Sequence, residues 1–433
     1  MHSQVLILPP GPAHYGTLLT LMSSDSGPAA LSALTKDRYL LCAAAGLRSL
    51  CVGMTGVLLA LYLHLGGWNV SEAGLLVTIG LAGTAVATLL TSLLADRAGR
   101  RRILLLLALL NSAGYAAAAW MPGRAIFLVA AFFGMLNGLG RDRGPAYALE
   151  QAMLPQTVPP ARRTFALAWY SLTLDAGLAV GSLMAGIPYW LAASTGRDLL
   201  ASFQTAWWSC AAVAGVAAIC PLLLSPSMEA ESASNKALLP VSPESRRRIA
   251  GLAALTGMDS LGGGFLTGAL VSYWFFARFD VGGEWLGPLF FAARIVNAAS
   301  HLAAAWLAAR IGLLNTMVFT HIPSSLFLIA VPFAPDAWWA AALFLAREAL
   351  VEMDVPTRQS YILAVVHREE RAFASGMTTL TRNIAYAAAP VAAGHAMRSL
   401  ALASPLFLGA GIKIAYDLLL YFSFRRIRPP EEA

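Results

Sequence analysis

Apolar runs of about 20 residues, the length a helix needs to cross a bilayer, follow one another along almost the whole chain. Of 433 residues, 58% are hydrophobic and only 12% charged, which is more apolar helix than a soluble domain can hide. The runs lack the strict alternation of membrane-barrel strands. They read as helices, which satisfy their backbone hydrogen bonds within each span. The chain is therefore expected to be an all-α integral membrane protein. Its twelve spans fall near residues 38–66, 71–94, 102–121, 124–150, 164–192, 200–224, 249–278, 285–308, 312–334, 337–362, 372–397 and 402–424.

The net charge of +7 does not point to nucleic acid. More than half of the 30 Lys and Arg fall in one set of loops and tails, including Arg97 to Arg102, Arg162-Arg163 and Arg246 to Arg248. That skew is the positive-inside signature. It predicts a plasma (inner) membrane protein with both termini cytoplasmic. Cys42, Cys51, Cys210 and Cys220 lie in apolar runs without metal-ligand spacing and read as packing residues. Nothing in the sequence suggests a nucleotide loop, a metal cluster or a catalytic set, so no cofactor, no metal and no enzyme activity are expected.

The chain repeats itself at an offset of 211 residues. Gly46-Leu47-Arg48-Ser49-Leu50, Gly53 and Tyr62 match Gly257-Met258-Asp259-Ser260-Leu261, Gly264 and Tyr273. Arg141, Arg143 and Pro145 align with Glu352, Asp354 and Pro356. The expected organisation is a tail (1–37), a six-helix half (38–224), a cytoplasmic linker (225–248), a second six-helix half (249–424) and a short tail (425–433). Paired halves of this kind are common in transporters, with the substrate site at their interface.

Residues 92–102 read Ser-Leu-Leu-Ala-Asp-Arg-Ala-Gly-Arg-Arg-Arg. This closely resembles the loop motif between spans two and three of the major facilitator superfamily, through Asp96, Arg97, Gly99, Arg100 and Arg101. Ser92 stands where that family has Gly. A worn copy, Leu307-Ala308-Ala309-Arg310-Ile311-Gly312, follows in the second half. The resemblance extends from about residue 38 to 424. It implies two pseudo-symmetric halves working by alternating access, and a gate in which the motif's acid latches against the start of span eleven, here Ser375-Gly376. In this family spans one, four, seven and ten line the central cavity.

A charge inside the hydrocarbon costs roughly 2.5–3.5 kcal/mol on insertion scales, so an ionisable residue there is first suspected of function. Arg48 and Asp259 occupy equivalent positions about ten residues into their helices, so opposite charges are expected to face each other at equal depth. Helical spacing puts Arg141 with Asn137, and Glu348 with Glu352, on cavity faces. Asp175 and Arg382 are further cavity candidates. Arg294, Asn297 and His301 form one stripe of span eight and suggest a wet face. Arg347, Asp354 and Arg358 read as a bracing ion network, as do Arg143 and Glu150. Lys413 and Asp417 read as a self-neutralising pair, and His321 as structural. Gly262-Gly263-Gly264 is expected to weaken span seven.

The expected function is secondary active transport of a small molecule by a monomer in the lipid bilayer, with protons as coupling ion. Efflux of a cationic or zwitterionic compound by antiport comes first. Symport or facilitated transport of an organic anion is the alternative, and a membrane sensor or enzyme on the same scaffold a remote one.

Overall fold

The computed structural model describes residues 28–121, 123–159, 162–229, 243–354, 358 and 371–424. Its helices fall in register with the expected spans. The first runs from Pro28 to Leu65, beginning well before the expected edge at 38. Spans two and three are Val70–Ala98 and Arg100–Trp120. Span five is Arg163–Leu183 continued by Ile187–Thr195, and span six is Leu199–Ala217 continued by Ile219–Leu223. Spans eight and nine are Gly283–Ile311 and Leu313–Ala330; spans eleven and twelve are Arg371–Ser399 and Ser404–Phe424. Among the described residues nine helical stretches are long and apolar enough to cross a membrane. The remaining three spans are four, ten and eleven. The expected tails up to residue 27 and from 425, and most of the linker (230–242), lie outside the described residues.

The spans that matter most are broken. Span four is a helix only over Arg124–Phe133 and again over Ala146–Met153. Between them Gly140 and Gly144 take φ of +74° and +67°, a region glycine enters without steric penalty. Pro145 removes a donor and disfavours helix in the residue before it. Span seven stops at Gly264, where the glycine triplet predicts weakness, and resumes over Gly268–Phe279 behind a Thr267 cap. Span ten is helical over Ala337–Val351 and ends in a turn at Glu352.

Exposed backbone at membrane depth is tolerated only when its polar groups find partners. Here the breaks partner one another. The carbonyls of Gly138 and Leu139 accept from the N–H groups of Ala269 and Gly268 across the two halves, at 2.8 and 3.3 Å. Asn137 accepts from the Leu139 N–H at 3.1 Å and donates to Asp142 at 2.8 Å, while Asp142 accepts from the Gly144 N–H at 3.0 Å.

The halves also close together near the face that bears the loops at 66–69, 280–282 and 400–403, here called the distal face. Gly74 of span two packs on span eleven so closely that a Cβ would sit 2.3 Å from the Pro390 carbonyl oxygen. A Cβ on Gly394 would lie 2.5 Å from the Val70 oxygen. Small residues allow such backbone contact, and the Val391 N–H donates to Thr78 Oγ1 at 3.0 Å. The His64 ring meets Tyr273 and Phe276 edge-on, with centroids 5.6 and 5.5 Å away. Gly394→Val should therefore hold this seal open. Spin labels at Leu65 and Arg398, both exposed, should report longer distances in that variant, with transport reduced at least tenfold. An unchanged distance distribution would show that the seal accommodates the added bulk.

Candidate functional site

The broken segments of spans four and ten meet at a cavity of about 420 Å³ between the halves. At its centre the Arg141 guanidinium donates to the Glu352 carboxylate. These two are repeat-equivalent, 211 residues apart. Under a two-fold relation, equivalent positions can touch only by straddling the axis, so this pair marks the pseudo-symmetry axis of the molecule.

Six cationic side chains line the cavity, Arg141, Arg143, Arg294, Arg358, Arg382 and Lys413, with five acids, Asp142, Asp175, Asp259, Glu352 and Asp354. Asp259 is held by Lys413 and Arg358, each at 2.7 Å, and Arg358 also reaches Asp354 at 2.9 Å. Asp142 is occupied within the span-four break. Arg143 stacks on the Tyr147 ring, donates to its hydroxyl at 2.8 Å and lies 3.7 Å from Asp175. Arg294 and Arg382 differ from the rest. No carboxylate of the described residues lies within bonding range of either, and the Nε of each is buried without a hydrogen-bond partner.

Several expectations need correction. Arg48 does not face Asp259. Its guanidinium grips Glu150 through two bonds of 2.8 and 2.6 Å, inside the first half. It lines a separate cavity of about 70 Å³ among spans one, three, four and six. Equal depth along two helices does not make two charges neighbours, and a guanidinium takes the carboxylate that offers both oxygens. Glu150 is thus Arg48's partner and not Arg143's. Asn137 orders the span-four break and lines that smaller cavity rather than the central one. Glu348 does not share a cavity face with Glu352: it is buried against Arg347 and accepts from Asn297 at 2.8 Å. The i, i+4 rule holds along a continuous helix, and this helix ends between them. Arg347 accordingly stands apart from the Asp354–Arg358 pair. Lys413 and Asp417 do not neutralise each other: Lys413 turns to Asp259, and Asp417 meets His321 at 3.0 Å.

Asp175, Arg382, Arg294, Asn297 and His301 all line the central cavity, as does Tyr386, for which no sequence signal was noted. In the loop motif, Gly99 has φ of +97° and the N–H groups of Arg100 and Arg101 donate to Glu229, at 2.5 and 3.3 Å. A linker carboxylate thereby caps the start of span three. Arg101 also reaches the carbonyls of Pro221 and Leu222, while Arg97 is exposed. The side chains of Asp96 and Ser375, and hence the expected latch, lie outside the described residues.

The sequence matches the profile of the Major Facilitator Superfamily over residues 41–390. It is 25% identical over 426 residues to an uncharacterized membrane protein of Saccharomyces cerevisiae, YJR124C, covering 90% of this chain and 94% of that protein. The fold resembles that of the nucleoside transporter NupG, with a TM-score of 0.71 at 13% identity, over 90% of this chain and all of that one. It also resembles the inward-open xylose transporter XylE from E. coli, with a TM-score of 0.67 at 14% identity, over 91% and 97% of the two chains. The chain belongs to the Major Facilitator Superfamily of secondary transporters.

Proposed function

We infer that this transporter carries a small solute bearing at least one acidic group, alternately exposing the central cavity to the two sides of the membrane, with protons as coupling ion. The observation that carries this reading is that Arg294 and Arg382 line the cavity without a carboxylate partner among the described residues. Glu352, Asp259 and Asp354, the acids that would receive a purely cationic solute, already hold cationic partners. Two cavity-lining guanidinium groups with no carboxylate partner among the described residues favour an anion, which each can bind through two parallel hydrogen bonds. A zwitterion satisfies the same requirement through its carboxylate. The volume suits a metabolite-sized molecule. The basic loops support cytoplasmic termini in a plasma membrane.

A second reading, efflux of a cation by antiport, is favoured by Asp175, whose only ion pair among the described residues is the 3.7 Å contact with Arg143 and whose side chain is 37% exposed. A panel of a dicarboxylate, an amino acid, an organic phosphate and an organic cation separates the two in vesicles with an imposed pH gradient. Arg294→Gln and Arg382→Gln should each raise KM for the transported acid at least tenfold. A hydrogen bond to a charged group is worth about 1.5–3 kcal/mol. Transport of the cation alone, unaffected by either substitution, would overturn the anion reading.

A further inference from the structure

We propose that His321 is a proton-binding site, loaded from the central cavity, in which protonation of Nε2 exchanges Lys413 for the imidazolium at Asp259. The inference rests, for its coupling role, on the proton-driven transport inferred above.

His321 lies in span nine, is 1% exposed, and borders the cavity together with Asp259 and Lys413. Its Nδ1 is 3.0 and 3.1 Å from the two oxygens of Asp417. A carboxylate only accepts, so Nδ1 carries the hydrogen. Its Nε2 is 3.2 Å from Lys413 Nζ. An ammonium only donates, so Nε2 presents its lone pair. Assigned from this network, the imidazole is the neutral Nδ1–H tautomer.

A proton on Nε2 turns that acceptor into a donor and sets two cations against each other. The geometry supplies the way out. Nε2 already stands 3.8 Å from Asp259 Oδ1, the same oxygen that Lys413 holds at 2.7 Å. The imidazolium can therefore take Oδ1 while the flexible lysine stem withdraws. Charge balance favours the step. With its carboxylates ionised, the described cluster sets Asp259 (span seven), Asp354 (span ten) and Asp417 (span twelve) against Arg358 and Lys413. One further positive charge neutralises it, and His321, with the Tyr416 ring edge-on at 6.1 Å, is where it fits. Because Arg358 holds the other Asp259 oxygen at 2.7 Å, the exchange is felt in the region of span ten that carries Glu352.

The test uses the full chain with ¹⁵N-labelled histidine. The His321 signal is the one missing in His321→Gln. Should that variant not fold, Lys413→Arg, which keeps the charge, marks the same signal by shifting it. The expected result is the Nδ1–H tautomer at pH 9 and the imidazolium at pH 5. An Nε2–H tautomer, or a form unchanged between these pH values, would overturn the proposal. In vesicles, with the acidic solute that the wild type accumulates fastest, His321→Gln should lower gradient-driven accumulation at least tenfold and leave equal-pH exchange within about twofold. Equal loss of both modes would refute the coupling role. If wild-type vesicles show no dependence on the pH gradient, the transport reading fails, and the titration alone decides whether His321 binds a proton.

Discussion

Alanine in place of Arg141 should lower the initial transport rate at least 100-fold, and exchanging the two residues, Arg141→Glu with Glu352→Arg, should recover a tenth or more of it. Arg141 lies in the break of span four and Glu352 at the end of the span-ten helix, each about one-fifth exposed. Removing one partner of a hydrogen-bonded charge pair this far from bulk water costs about 2–5 kcal/mol, much of it from the charge left behind. Here it also unties the irregular backbone of span four from that of span ten. The position matters as much as the energy. The two halves of this fold are related by an axis along the membrane normal, and rocking moves residues on that axis least. A pair that straddles it can persist in both orientations and act as a pivot. Uptake into vesicles checks this, with melting temperature as a control for folding. Wild-type rates in Arg141→Ala would reduce the pair to bracing.

The architecture was legible because two of its signals are redundant. Apolar runs of spanning length and a repeat at one fixed offset each imply two matched helical halves, and neither depends on side-chain detail. The same offset aligned Arg141 with Glu352, which meet in the structure. The site was legible where that alignment sufficed and where an unbroken helix kept its polar stripe readable, as for Arg294, Asn297 and His301 on span eight. Arguments from helical periodicity failed at spans four and ten because the helix they assumed stops at Phe133 and Val351. Pro145 and the surrounding glycines announced trouble, but not which carbonyls would be freed or that Gly268 and Ala269 would receive them. Arg48 and Asp259 were matched by depth, whereas partner choice depends on rotation about the helix axis, which a repeat leaves unspecified. His321 looked inert as a lone imidazole on an apolar helix. Its chemistry comes from Asp417 and Lys413, about a hundred residues away in sequence.

Arg48→Ala should be the most destabilising single change in the first half. Glu150 is 1% exposed and receives both Arg48 nitrogens, with the Tyr170 hydroxyl donating at 2.5 Å. Without the guanidinium, this buried carboxylate keeps the Tyr170 hydroxyl but loses its counter-ion. Breaking a buried pair from one side costs about 3–5 kcal/mol. Replacing both ends, Arg48→Met with Glu150→Met, removes the stranded charge together with its partner and should restore most of the lost thermal stability, since buried ion pairs are often matched by well-packed apolar residues. Tyr170→Phe should fall between, losing one hydrogen bond to a charged acceptor. Transport separates this role from that of the central cavity. Because Arg48 opens onto the smaller cavity within the first half, the double variant should keep at least half of wild-type flux. A stable double variant without flux would move Arg48 back among the residues that handle the solute or the proton.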